Sequence, residues 1–329
     1  MATDNLVPVT ILTGFLGAGK TTLLNRILQE QHGHRIAVIE NEFGEAGIDN
    51  EILLQNADEQ IVEMNNGCIC CTVRGDLVRI LGELKQKHAE GTLGFDRVII
   101  ETTGMADPGP VAQTFFMEDS IGEYYLLDSI ITVVDAKHAE STLDEFREAQ
   151  EQVGFADRIL LSKTDLVGEP EVEHLRSRLV KMNPRAPISK VHFGETPIGE
   201  ILDIRGFNLN AILEIDPAFL GDSEHEHDEH VSSFVYRSAR PFDGVKLEEF
   251  LGSIIQVYGT ELLRYKGVLY LKGNANRVVF QGVHMLMGGD MGKAWAKDEK
   301  RESVMVFIGR DLPQDIIIQG LEQCLAKAQ

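Results

Sequence analysis

Apolar residues come in short runs, each followed by a loop and then by a stretch where they recur every three or four positions. The runs are Val7 to Thr13, Arg35 to Glu40, Arg97 to Glu101, Ser129 to Asp135 and Arg158 to Ser162. Runs this apolar predict strands buried on both faces of a parallel sheet. The first leads through a glycine-rich turn into a helical pattern from Lys20 to Gln31, ending near Gly33. Repeated strand-then-helix alternation predicts an α/β unit, a P-loop NTPase-like, mostly parallel sheet with helices on both faces, over residues 1–219.

The pattern then changes. From Asp216 to His230 the chain is polar and charged, with His225, His227 and His230 interleaved with carboxylates, and we read residues 220–230 as an acidic, His-rich linker. Beyond it come a strand (Val231 to Arg237), a helix (Val245 to Tyr258), strands near Leu263 to Leu271, Arg277 to Met287 and Ser303 to Arg310, and a helix from Pro313. Strands joined mostly without helices predict a smaller α+β domain over residues 231–329. Its lone Cys324 reads as a core residue.

Composition narrows the function classes. With 43% hydrophobic and 25% charged residues the chain has the balance of a folded globular protein. A formal net charge of −21, with no Lys/Arg run to interrupt it, argues against nucleic acid or an anionic membrane as partner. It suits a cation or a basic protein surface, or serves solubility alone. No run of about eighteen apolar residues occurs, and Met1 to Leu6 lacks a signal peptide's basic flank, so a cytoplasmic location is expected.

Between the first strand and helix, Gly14-Phe15-Leu16-Gly17-Ala18-Gly19-Lys20-Thr21 fits the spacing G-x-x-x-x-G-K-[ST]. Its glycines allow backbone N–H groups to converge on phosphate oxygens, and the helix N-terminus adds its dipole. Lys20 is expected to reach the β- and γ-phosphates and Thr21 to ligate Mg²⁺. Ser162-Lys163-Thr164-Asp165 resembles the guanine motif N-K-x-D: Asp165 can accept from both the ring N–H and the amino group of guanine, while the Lys163 stem covers the base. Ser162 replaces the Asn whose amide braces neighbouring loops. Glu101-Thr102-Thr103-Gly104 closes another strand, where an acid can hold the water shell of Mg²⁺ and Gly104 lets the backbone approach the γ-phosphate.

Gly67-Cys68-Ile69-Cys70-Cys71 crowds three thiols into four positions ahead of a helix starting near Thr72. Thiolates are soft ligands for Zn²⁺ or Cu⁺, and three close ones leave room for an exchangeable ligand. A buried thiol cluster or a redox pair are the other readings. Glu40-Asn41-Glu42-Phe43-Gly44-Glu45 offers hard ligands nearby, or is a solvated switch loop. The histidines of the linker either capture metal or form a polar tether, and His192 reads as a surface residue.

Together, Gly14 to Thr22, Glu40 to Gly44, the G-C-x-C-C of Gly67 to Cys71, Glu101 to Gly104, Ser162 to Asp165 and the part from about Val231 resemble the CobW-like family of metal-handling P-loop GTPases, over nearly the whole chain. The resemblance implies a GTPase that binds Zn²⁺, and often Co²⁺ or Ni²⁺, and acts as a metallochaperone for a metal-requiring client protein. It implies metal contacts from Glu40, Glu45 and Cys70, completed by Cys68 and Cys71. GTP would be held by Gly14 to Thr22 with Lys163 and Asp165. The competing reading is a metal sensor or storage protein in which GTP selects a conformation. Assembly as a homo-oligomer is compatible with either reading.

Overall fold

The computed structural model describes residues 6–30, 32–40, 61–63, 73–207, 230–296 and 299–327. The chain divides into two compact units: residues 1–176 with 187–206, and residues 177–186 with 207–329.

In the first unit the strands are β1 (Val7–Thr13), β2 (Ile36–Glu40), β3 (Ile61–Glu63), β4 (Arg97–Glu101), β5 (Tyr125–Asp135), β6 (Arg158–Ser162) and β7 (Ile188–Lys190). They form one sheet in the order β3-β2-β4-β1-β5-β6-β7, and every neighbouring pair is parallel. The connecting helices are α1 (Lys20–Gln29), α2 (Val73–Ala89), α3 (Gly109–Met117) with the single turn α4 (Asp119–Gly122), α5 (Ala139–Glu145), α6 (Arg147–Phe155) and α7 (Glu169–Met182), of which residues 177–182 are counted with the second unit. The β1-to-β2 and β4-to-β5 connections run in opposite directions along the sheet, so right-handed crossovers put α1 and α3 on opposite faces. Leu23, Leu24 and Ile27 of α1 close one face against Leu12, Val38, Ile99 and Val133.

Strand order reverses at β1, which lies between β4 and β5. A crevice opens at such a switch point beyond the carboxyl ends of the strands, and the glycine-rich turn, Glu101 and Asp135 all sit there.

In the second unit β8 (Val231–Ser238), β9 (Leu262–Leu269), β10 (Asn276–Val283), β11 (Leu286–Ala294) and β12 (Ser303–Arg310) make an antiparallel sheet in the order β11-β10-β9-β12-β8. Helices α8 (Gly244–Tyr258) and α9 (Gln314–Gln323) supply Leu247, Leu251, Ile317 and Leu321 to a core shared with Phe234, Tyr265, Phe280 and Phe307. Cys324 is buried in that core.

Several elements differ from the sequence expectation, each for a physical reason. The strand expected from Arg277 to Met287 is a hairpin: β10 and β11 join through His284 and Met285, with His284 at φ 51. Val-His-Met-Leu-Met carries no Asn-Gly or Gly-Gly signal, so the turn reads as more strand. β5 begins at Tyr125 rather than Ser129 because Asp128 is accommodated by a register shift, Val9 pairing with Leu127 and Thr10 with Ser129. The first helix stops at Gln29, two residues early. Strands β3 and β7, three residues each, are too short for any periodicity to show.

Candidate functional site

The glycine-rich turn is built from backbone conformations that side chains oppose. Gly14 has φ 143, and a Cβ there would overlap the carbonyl of Val133 in β5. Gly17 and Gly19 adopt φ 73 and 101, a left-handed region in which L side chains are strained. Lys20, the first residue of α1, is 8% exposed and folds back over the turn, donating to Gly14 O at 2.9 Å and Phe15 O at 3.4 Å. Burial lowers its proton affinity, and the Glu101 carboxylate restores part of it. Among these residues the ammonium is placed where phosphate oxygens would meet the loop's N–H groups.

Thr21 Oγ1 donates to Glu101 Oε1 at 3.0 Å, joining the start of α1 to the buried end of β4. A hydroxyl and a carboxylate side by side are hard oxygen donors of the kind Mg²⁺ takes, with room left for waters and phosphate. The chain beyond Glu101 is pinned to β1: Thr102 N donates to Leu12 O at 2.9 Å and Thr102 Oγ1 to Thr13 Oγ1 at 2.8 Å. It then lies against the glycine-rich turn, since a Cβ on Gly104 would come within 2.7 Å of Leu16 N. On its far side Gln152 of α6, 1% exposed, donates to Gly104 O at 3.1 Å and Ala106 O at 3.0 Å.

The base motif is tied to the same turn. Ser162 Oγ donates to Ala18 O at 2.6 Å, with Val134 O at 3.3 Å. The short hydroxyl thus does at Ser162 the loop bracing expected of an Asn amide. Lys163, at φ 56, donates to Gly17 O at 2.8 Å and to Asp135 Oδ2 at 2.7 Å, which lays its stem along the site. Asp165 sits in a 3-10 turn, half-exposed, with His192 Nδ1 3.7 Å away. Gln152 and Asp135 were not among the residues singled out from the sequence. A strand-end Asp before a helix was the available signal for the second, and a polar Gln-Glu-Gln run entering a buried strand the signal for the first.

Glu40 ends β2, half-buried, and its backbone is in register with Glu101 on β4 and with Glu63 on β3. Neighbouring strands are about 4.8 Å apart, and in-register residues of parallel strands share a face. Glu45, Cys68, Cys70, Cys71, His225 and His227 lie outside the described residues. His230 is described, its Nδ1 3.0 Å from Asp311 Oδ2. Among the described residues no three His, Cys, Asp or Glu side chains form a metal-binding group.

This geometry agrees with what the chain is similar to. Residues 8–190 match the family described as CobW/HypB/UreG, nucleotide-binding domain, and residues 231–325 match the cobalamin synthesis protein cobW C-terminal domain. The chain is 45% identical over 314 residues to the zinc chaperone YjiA of Escherichia coli (strain K12), covering 95% of this chain and 97% of that protein. It is 34% identical to the zinc chaperone CobW of Pseudomonas aeruginosa, covering 99% and 93%. The crystal structure of zinc(II)-bound YjiA GTPase from E. coli superposes with a TM-score of 0.83 at 39% identity, covering 98% of this chain and all of that one. A P-loop α/β unit followed by a separate antiparallel unit, matched over both parts, places this chain in the CobW/HypB/UreG family of nucleotide-binding proteins, in the branch that carries a cobW C-terminal domain.

Proposed function

We propose that this protein hydrolyses GTP and uses the nucleotide cycle to hand a transition metal ion, zinc foremost, to a client protein. The observation that carries the reading is the row Thr21, Glu101, Glu40. Glu101 accepts the hydroxyl of Thr21 in the phosphate site and is in register with Glu40, where the metal loop begins. The names of the relatives support it: two are zinc chaperones, and a third, 30% identical over 97% of this chain, is the zinc-regulated GTPase metalloprotein activator 1 of Dictyostelium discoideum.

The backbone of Gly14 to Thr22 would cradle the phosphates, and the Lys20 ammonium would offset charge that builds on the β–γ bridge as water takes the γ-phosphoryl group. Thr21 and Glu101 would hold Mg²⁺, which when bound draws charge from the β- and γ-oxygens. Asp165 would select guanine. The metal cargo would be held by Cys68, Cys70 and Cys71 with Glu40 and Glu45, Co²⁺ or Ni²⁺ being alternatives to zinc. Such thiolates need a reducing compartment, consistent with a cytoplasmic site of action; no helix among the described residues is long and apolar enough to cross a membrane.

Cobalt makes the metal half visible. Co²⁺ added to the reduced chain is expected to give thiolate-to-metal charge-transfer absorption, lost when Cys68, Cys70 and Cys71 are replaced by Ala. GTP is expected to be turned over slowly and ATP hardly at all. A cobalt complex without that absorption, or equal turnover of the two nucleotides, would contradict the proposal. Delivery is read by zinc passing to an apo-client with GTP but not with a non-hydrolysable analogue.

A further inference from the structure

We infer that Gln152 is a positioning residue for the reaction: its side-chain amide holds the loop that follows Glu101 against α6, and so sets how that loop answers the γ-phosphate. The inference deepens the reading of the site as a GTPase and rests on it.

The loop has one fixed end and one held end. Thr102 is tied to β1 through its backbone N–H and its hydroxyl. The next residues form a turn, Ala106 N donating to Thr103 O at 3.1 Å, with Met105 at its crest 50% exposed. Both N–H groups of the Gln152 amide are spent on this turn, one on Gly104 O and one on Ala106 O. An amide NH₂ can satisfy two carbonyls at once in this way; a carboxylate, a hydroxyl or an apolar chain cannot. One bond is buried and the other partly so, and there a carbonyl that loses its partner is poorly compensated by water. The loop's position is therefore coupled strongly to this one side chain.

Its anchor is tied to the sheet. The backbone carbonyl of Gln152 accepts the buried hydroxyl of Thr132 in β5 at 2.7 Å, fixing α6 to the sheet. Opposite the amide, Gly104 rests on the backbone of Leu16 in the phosphate turn. The loop is thus clasped between α6 and the element that would carry the γ-phosphate, with Glu101 three residues before Gly104. The bonds to Gln152 keep the Gly104 turn in place against Leu16, ready for a terminal phosphate, and without them the nucleotide must order the loop itself.

A cavity of about 200 Å³ borders the Gln152 side of the site, lined by Leu16, Gly17, Asp135, Gln152, Val153 and Lys163 among others. It is smaller than the roughly 300–1,000 Å³ of a small-molecule site and of a size to take a side chain. Leu16, 61% exposed, borders it and lies against Gly104, so one side chain joins the cavity to the held turn.

The test is Gln152→Leu and Gln152→Glu in the full chain, reading affinity for GDP, affinity for a non-hydrolysable GTP analogue, and kcat. Both variants are expected to bind GDP within about twofold of wild type, bind the analogue about tenfold more weakly, and lose about tenfold or more in kcat; a tenfold change corresponds to about 1.4 kcal/mol. Equal losses for GDP and analogue, or no loss for either, would overturn the inference, since a structural role would not separate the two nucleotides. If the variants do not fold, hydrogen exchange of the wild type decides. Analogue against GDP should change protection at residues 103–106 and at the amides of α6 around Gln152 together, and a change confined to the loop would overturn the inference. Wild type that binds neither nucleotide would instead reject the GTPase reading itself.

Discussion

The phosphate end and the base end of the nucleotide site are held in opposite ways. At the phosphate end the functional groups are buried: Lys20 is 8% and Glu101 9% exposed, and their partners are the backbone of the turn and the hydroxyl of Thr21. At the base end the Lys163 and Asp165 side chains are 37% and 44% exposed, and the buried member is Ser162, which donates to the turn at Ala18 O. Electrostatic interactions strengthen as water is excluded, so the phosphate end is where charge on the reacting group is best stabilised. Under the proposed function the exposed base end would supply recognition by hydrogen-bond pattern, and the difference would separate turnover from selectivity within one site.

The comparison can be broken at either end. Lys20→Ala should have the largest effect, a loss on the order of 10²–10³-fold or more in kcat/KM for GTP, because it removes a buried charge aimed at the reacting oxygens. The residual GTP-over-ATP preference should survive, which steady-state rates on the two nucleotides would check. Asp165→Asn should come next and act the other way: GTP affinity about 10–100-fold weaker, as expected for losing charge-assisted hydrogen bonds of about 1.5–3 kcal/mol, with turnover at saturation close to wild type. A large fall in kcat from Asp165→Asn would show that the two ends are not separable. Ser162→Ala should be the smallest, about 1 kcal/mol or a fivefold loss of GTP affinity, from one neutral buried hydrogen bond to Ala18 O. Ser162→Asn should keep most of that affinity if bracing is the residue's task, and calorimetry of nucleotide binding would show it.

The phosphate end was the more legible in sequence because its chemistry is written in spacing. Gly14, Gly17 and Gly19 are each required by a backbone angle or a close approach, and Lys20 and Thr21 follow at the first turn of α1. At the base end the sequence points to Asp165 as a candidate, but it does not show how Ser162 works, since a hydroxyl's reach depends on Ala18 lying beside the end of β6. Gln152 and Asp135 escaped for a related reason: each acts on a residue distant in the chain, Gly104 and Lys163, and the local signals they carry, a polar run and a strand-end Asp, do not name those partners. In the second unit the helices and most strands follow the apolar pattern, whereas the His284 turn hides among apolar neighbours. The alternation that identified the parallel sheet was readable because its strands are buried on both faces: all five residues of β4 and all but one of β1 are buried.

Glu40 and Glu101 are in register on neighbouring strands, and under the proposed function the first would serve the metal and the second the phosphate site. The direct test is to titrate Zn²⁺ into the full chain saturated with a non-hydrolysable GTP analogue and into the same chain saturated with GDP. The account predicts zinc affinities that differ by tenfold to a hundredfold, about 1.4–2.7 kcal/mol of coupling, and that shrink toward equality in Glu40→Ala. By reciprocity zinc must change the affinity for the analogue, relative to that for GDP, by the same factor. Equal zinc affinities in the two nucleotide states would contradict the account and leave the GTPase cycle without a hold on the metal.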